Sequence, residues 1–287
     1  MRRILAVQLA IVLLIPFLLG VGLGWLGLNP TTAESLSPVG SDAHALLNSF
    51  PDSKLIVEFA YQASGGPPPA ASVSTLLDRI NETCQKSSVV VTEHSFASAQ
   101  RTFSESDLWA LETGNRQTWP EPGTMSLFYL FLAGTYSGDS TILGLAHYGS
   151  SMAVFGGTIA SSSGSGATAV TTTVLVHEFG HELGLVGIVG SASNEDPAHP
   201  YHSNDPNDVM YWSVDSTALL AGLLGGSAPP NQFDAADLSD LSTVRSTPIF
   251  QELFPWAVLG GSLVTAAVLV LRARRRGREP APSAAGG

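Results

Sequence analysis

Two long stretches without a charged residue stand near the ends of this 287-residue chain, and any fold must dispose of them first. The first, ILAVQLAIVLLIPFLLGVGLGWLGL, occupies 25 positions at 4–28. A helix needs about 20 apolar residues to span a bilayer. Pro16 and the glycines of this run would weaken a helix in water but are tolerated in lipid, where neighbouring groups re-satisfy the backbone. A cleaved signal peptide needs an apolar region of only roughly 7–15 residues, and Thr31-Thr32-Ala33 makes a poor cleavage site. The run therefore reads as an anchor that is kept, with a signal peptide as the alternative. The second run, at 253–271, has 19 residues, carries Trp256 near one edge and stops at RARRRGR. It reads as a second spanning helix with an interfacial aromatic.

Charge is divided in the same way. Seven of the 13 basic residues flank the outer ends of the runs (Arg2, Arg3, Arg272, Arg274, Arg275, Arg276 and Arg278), which leaves 6 basic against 23 acidic residues between them. The positive-inside rule then puts both termini in the cytoplasm and residues 30–252 on the other side of a cell membrane. A net charge of −17 over that stretch repels phosphate backbones, so nucleic acid is excluded as a partner and the lipid bilayer is expected as one. The single cysteine, Cys84, excludes an intramolecular disulfide framework and any cysteine-rich zinc site. No feature specifies an oligomeric state.

The expected organisation is an anchor at 1–29, a linker or short helix at 30–50, an external domain at 51–252, a span at 253–271 and a basic, flexible tail at 272–287. Within the domain, residues 54–61 (KLIVEFAY) read as a strand. Val73, Leu76, Leu77, Ile80 and Cys84 recur at helical spacing over 72–86. A strand at 88–92 follows, then a short helix at 104–112 opened by Ser104 and Asp107 as a capping pair. Strand patterns at 126–133, 141–147 and 152–155 are joined by Gly/Ser turns. Residues 161–166 (SSSGSG) read as a loop leading into a helix at 167–185. A last helix is expected near 233–244, capped by Asp234 or Asn231. This order predicts an α/β (α+β) domain with a mixed, twisted sheet, flanked by the two transmembrane helices. Trp109, Trp119 and Trp212 are expected in the core, and His147 as a partly exposed sheet residue.

The chemistry is concentrated in His177-Glu178-Phe179-Gly180-His181-Glu182-Leu183-Gly184. In a helix, residues four apart lie on one face, so His177 and His181 can hold one cation. Glu178 is turned by about 100° from His177, close to the metal but outside its ligand sphere. There it can act as the catalytic base, taking a proton from a zinc-bound water and passing it to a leaving amine. Zn²⁺ is the implied cofactor and a polypeptide the implied substrate.

A third ligand is needed, and the motif resembles the opening of the metzincin protease signature, HExxHxxGxxH. The last position of that signature is Gly187 here, which offers no side chain. The run from His202 through Ser203 and Asp208 to Met210 is similar to the archaemetzincin segment, in which the ligand histidine is followed by cysteine, a four-residue turn, cysteine and methionine. The resemblance implies a metzincin-like catalytic domain, His202 as the displaced third ligand after an insertion of 15 residues, and Met210 at the Met-turn. Because Ser203 and Asp208 stand where that family has cysteines, its second zinc site is expected to be missing. It further implies that 142–148 (ILGLAHY) binds an extended peptide by strand addition. His199, Asp196 and Glu195 remain alternative third ligands. A different class of function also remains: a membrane-tethered binding or assembly module whose zinc is structural, with all four positions closed by protein ligands.

Overall fold

The computed structural model describes residues 37–219, apart from Ser191 and Ser193, and residues 229–246. The elements are α1 (Ala43–Leu47), β1 (Lys54–Gln62), α2 (Ala70–Thr83), β2 (Ser88–Phe96), β3 (Thr102–Phe103), α3 (Glu105–Asn115), β4 (Thr124–Leu132), β5 (Thr135–Tyr136), β6 (Gly144–Tyr148), β7 (Ser151–Phe155), α4 (Gly156–Ser163), α5 (Ala167–Glu182), β8 (Glu195–Asp196), β9 (His199–Ser203) and α6 (Ala235–Ser246). Short 3₁₀ turns occupy Gly164–Gly166 and Trp212–Asp215.

Five strands form the main sheet in the order β2-β1-β4-β7-β6. The first four pair in parallel and β6 runs antiparallel to β7, so the sheet is mixed, as expected. The centre belongs to β4, whose nine residues TMSLFYLFL are all buried. A strand covered on both faces has no polar side to show, which is why its sequence is apolar almost throughout. Its period of two still sorts the layers. Met125, Leu127, Tyr129 and Phe131 join a core with α1, α2 and α5, while Phe128, Leu130 and Leu132 face Phe103 and Leu108 on the other side. Phe59 stacks on Tyr129 with ring centroids 4.8 Å apart. Each such large buried side chain contributes about 1.5–3 kcal/mol by leaving water.

Two buried charge sets tie loops to this sheet. Glu58 on β1 accepts from the N–H groups of Gln117 and Thr118 at 2.7 Å each, and from the Thr118 hydroxyl. Arg116 pairs with Glu112 at 2.6 Å and donates to Ser150 Oγ at 2.9 Å. With these partners both charges keep the hydrogen bonds that burial would otherwise remove.

Several expectations on local structure hold. Ser104 and Asp107 form a reciprocal capping box at the head of α3. Asp234, rather than Asn231, serves the last helix: its Oδ1 accepts from Asp237 N at 2.9 Å. Others are corrected. Residues 161–163 finish helix α4 and 164–166 form a 3₁₀ turn, so this is no open loop; serine hydroxyls at 161–163 bond back to Thr158 and Ile159 carbonyls within that helix. The expected strand at 141–147 starts only at Gly144, because residues 141–143 instead bond across to 215–217. The three tryptophans are half-buried, not core. Trp109 meets Tyr148 edge-on, Trp119 lies under the Arg116 guanidinium, and Trp212 stacks on His199. Their size lets them cover polar side chains at the margin of the sheet. His147 is more enclosed than expected, with its side chain 5% exposed and Nε2 3.2 Å from Ser151 Oγ. Burial, helped by the Arg116 charge, lowers its pKa to about 3.

Within 30–50, the short helix is the form observed: Ala43, Leu46 and Leu47 are fully buried. Among the described residues no helix is long and apolar enough to cross a membrane. The runs at 4–28 and 253–271, and the tail at 272–287, lie outside the described residues.

Candidate metal centre

Helix α5 carries the histidine pair and is buried from Val170 to Glu182. It needs no strong N-cap because packing fixes it: α2 leans on it through Ser72, whose hydroxyl donates to Thr168 O and accepts from Thr172 Oγ1. The helix stops at Leu183, where Gly184 takes φ +78°. A side chain is strained there, and glycine is the usual residue for this left-handed exit. A Cβ at Gly180 would come within 2.3 Å of Met210 Sδ, so the glycine lets Met210 press against the helix beneath the histidines.

The returning chain forms the β8–β9 hairpin. Tyr201 holds φ 67°, uncommon for a side chain-bearing residue, immediately before His202. Its N–H donates to Glu195 Oε1 at 3.1 Å. His202 then faces the α5 pair. Its ring centroid lies 5.3 Å from that of His177 and 5.0 Å from that of His181. One ligand atom from each of His177, His181, His202 and Asp215 lies within 4.8 Å of the others.

The alternatives are occupied elsewhere. His199 Nδ1 is 2.7 Å from Asp196 Oδ2, and the ring stacks on Trp212. Glu195 lies under Gly187, where a Cβ would meet its carboxylate at 2.8 Å. Gly187 thus has a reason to be glycine that is unrelated to a metal: φ +82° and a carboxylate overhead.

Asp215 was missed in the sequence. Nothing marks it among 24 acidic residues. It enters because the 3₁₀ turn after Met210 brings it back against the segment that leads into β6, where its carbonyl accepts from Leu143 N at 2.6 Å. Asp215 Oδ2 is 2.7 Å from His202 Nε2, and Oδ1 is 2.5 Å from His177 Nε2. The second contact is close but outside hydrogen-bond geometry, since Oδ1 has no hydrogen-bond partner. Burial alone would raise the pKa of Asp215; the flanking His177 and His202 outweigh it and hold the carboxyl well below the usual range.

The donor set fits zinc on its own geometry. His177 Nδ1 lies 2.6 Å from Val209 O, a contact in which that nitrogen donates, and so turns Nε2 toward the other donors. His181 Nε2 stands 3.0 Å from it, and His181 Nδ1 is buried without a partner. Burial first, then His177, keeps His181 well below its ordinary pKa and so neutral. One nitrogen from each of His177, His181 and His202, with one carboxylate oxygen of Asp215 close to them, are the N/O donors zinc takes.

Glu178 lies apart from these donors but in the same cleft of about 510 Å³, which Gly144, Ala146, His181, Tyr201, His202 and Asp215 also line. Ala146 N–H donates to its Oε2 at 2.7 Å, while Oε1 is buried with no partner. A Cβ at Gly144 would fall 2.3 Å from that Oε1, so the absence of a side chain there admits the carboxylate. Burial, then the Asp215 charge, pushes Glu178 well above the usual carboxylate range, against the Ala146 hydrogen bond.

No protein-family model matches the sequence, and no curated protein is significantly similar to it. Among solved structures the chain is similar to archaemetzincin from Methanopyrus kandleri, with 17% identity over 69% of this chain and 98% of that one and a TM-score of 0.46. It is also similar to archaemetzincin from Archaeoglobus fulgidus complexed with malonate (13% identity, 67% and 99% covered, TM-score 0.38). Metalloproteinase-II from Bacteroides fragilis is a third such structure (13% identity, 72% and 61% covered, TM-score 0.40). The functional reading rests on the geometry of the site itself.

Proposed function

We propose that this chain is a membrane-anchored, zinc-dependent endopeptidase, with His177, His181 and His202 as metal ligands and Glu178 as the catalytic base. The observation that carries the proposal is the grouping of three imidazoles, two of which line the same cleft as a buried glutamate with one unpartnered oxygen. When bound, zinc supplies Lewis-acid polarisation of a peptide carbonyl and stabilises the charge that develops on its oxygen.

The chain's own groups do the rest. Ala146 N–H holds one oxygen of Glu178, so Oε1 takes the proton from the attacking water and later delivers it to the leaving amine. Among the described residues β6 is the outer strand of the sheet, and such an edge suits an extended peptide backbone. Polypeptides in extended form are therefore the substrate class. The purified full chain should cleave unfolded polypeptides, lose this activity to a chelator and regain it with zinc. A zinc-loaded chain that cleaves no peptide of a broad library overturns the proposal.

One observation favours a second reading. Asp215 contacts the same nitrogens, Nε2 of His177 and of His202, that would face the ion. As a fourth ligand it would close the site and make the zinc structural, in a tethered binding or assembly module.

The membrane reading rests on the uncharged runs and the outer arginines, with residues 30–252 on the non-cytoplasmic face and both termini inside. In sealed vesicles, protease added from the cytoplasmic face should trim only the termini. Digestion of 30–252 from that face would reverse the topology and remove the idea of an external substrate.

A further inference from the structure

A second cluster of acids lies on the far side of the turn that carries Met210. Asp234 and Asp237 cap α6 reciprocally: Asp237 N donates to Asp234 Oδ1 at 2.9 Å, and Asp234 N to Asp237 Oδ2 at 3.2 Å. That cap uses one oxygen of each residue. Asp208 faces them from the turn after His202, its Oδ1 accepting from Met210 N at 2.9 Å. One carboxylate oxygen from each of the three lies within 4.8 Å of the others. Asp237 is fully buried and Asp208 is 1% exposed. The oxygen the cap leaves over, Asp237 Oδ1, is sealed from water and has no hydrogen-bond partner.

A buried carboxylate oxygen with nothing to bond is costly unless a positive charge meets it. Burial, with Asp208 opposite, pushes Asp237 up to about 9. The cluster thus calls for a counter-charge at neutral pH, either a shared proton or a cation. Its donors are all oxygen, without the nitrogen or sulfur that favours zinc. Carboxylates used singly or in bidentate fashion, completed by backbone carbonyls and water, suit calcium, which takes 6–8 oxygens; magnesium demands a stricter octahedron. Asp234 is only half-buried and leaves an approach from solvent.

We propose that Asp208, Asp234 and Asp237 form a binding site for a hard divalent cation, calcium before magnesium. The ion would tie the head of α6 to the turn that supports the histidines. On one side of this joint, Val209 O anchors His177 and Met210 presses on Gly180. On the other, Phe233 meets Phe179 of α5. The site is independent of peptidase activity.

The test uses the purified, zinc-loaded full chain, titrated calorimetrically with calcium, magnesium and further zinc, with thermal unfolding followed in parallel. One calcium per chain is expected, with Kd at or below about 10⁻³ M as in extracellular calcium modules, weaker magnesium binding and a Tm that rises with calcium. Asp237→Asn should weaken calcium binding at least tenfold and remove the calcium dependence of Tm. Asp234→Asn, which keeps a capping side chain, should do the same and guards against a misfolded first variant; unchanged zinc content reports an intact fold. Absence of calcium uptake, with Asp237→Asn at least as stable as the parent, would mean that Asp208 and Asp237 share a proton, and would overturn the proposal. Calcium binding unaltered in both variants, or uptake of zinc alone, would overturn it equally.

Discussion

Glu178→Gln is expected to abolish detectable peptide cleavage while leaving the zinc content of the protein unchanged. The amide is the same size as the carboxylate, and it can still accept from Ala146 N–H, so the packing against Gly144 survives. What it cannot do is take a proton from water. General acid–base help is worth about 10²–10⁴ in rate, or roughly 3–5 kcal/mol of barrier. The check is a pair of measurements on one preparation: turnover of an unfolded polypeptide, and metal content by elemental analysis. Loss of both would mean that Glu178 holds the site together. Retention of both would remove Glu178 as the catalytic base.

His202→Ala should cost far more zinc affinity than His199→Ala. Partners that only orient a ligand are typically worth 10–100-fold in metal affinity, and loss of a direct ligand should exceed that. His199→Ala should alter affinity by no more than about twofold, because its ring is engaged with Asp196 and Trp212 away from the cluster. Competition against a chromogenic chelator gives both values. A reversed ranking would remove His202 from the site and leave the α5 pair in need of another third donor. Asp215→Asn belongs in the same series. If Asp215 closes the coordination sphere, its loss should match that of His202 and open a position. If it only steadies His202, the loss should stay within the 10–100-fold range.

The local elements were written in the sequence where short-range physics decides them. Ser104 and Asp107 sit three residues apart, and a capping box needs nothing beyond that spacing. The run LFYLFL reads as a strand without reference to its neighbours, and the fold makes it the central one, β4. His177 and His181 share a face because a helix repeats every 3.6 residues, whatever surrounds it. None of these features depends on distant parts of the chain. Residues 161–166 are the opposite case: serine and glycine argue locally for a loop, yet 161–163 complete helix α4, with the hydroxyls of Ser161, Ser162 and Ser163 bonded back to the Thr158 and Ile159 carbonyls.

The third imidazole shows where sequence reasoning ends. A resemblance singled out His202, but His199 and the neighbouring acids had the same loop and nearly the same reach. Only the folded hairpin separates them, by turning His199 onto Trp212, covering Glu195 with Gly187 and kinking the chain at Tyr201. Nothing in the sequence brings Asp215 to the histidines or gathers Asp208, Asp234 and Asp237 into one cluster. Their oxygens meet because the chain after Met210 returns to the segment that leads into β6, and because α6 packs against the underside of the turn. The sequence by itself determined one helix face able to hold a metal and one glutamate beside it, since both follow from residues within a single turn. Only the tertiary structure decided which distant side chains complete the charge around them, because those distances are set by packing between segments.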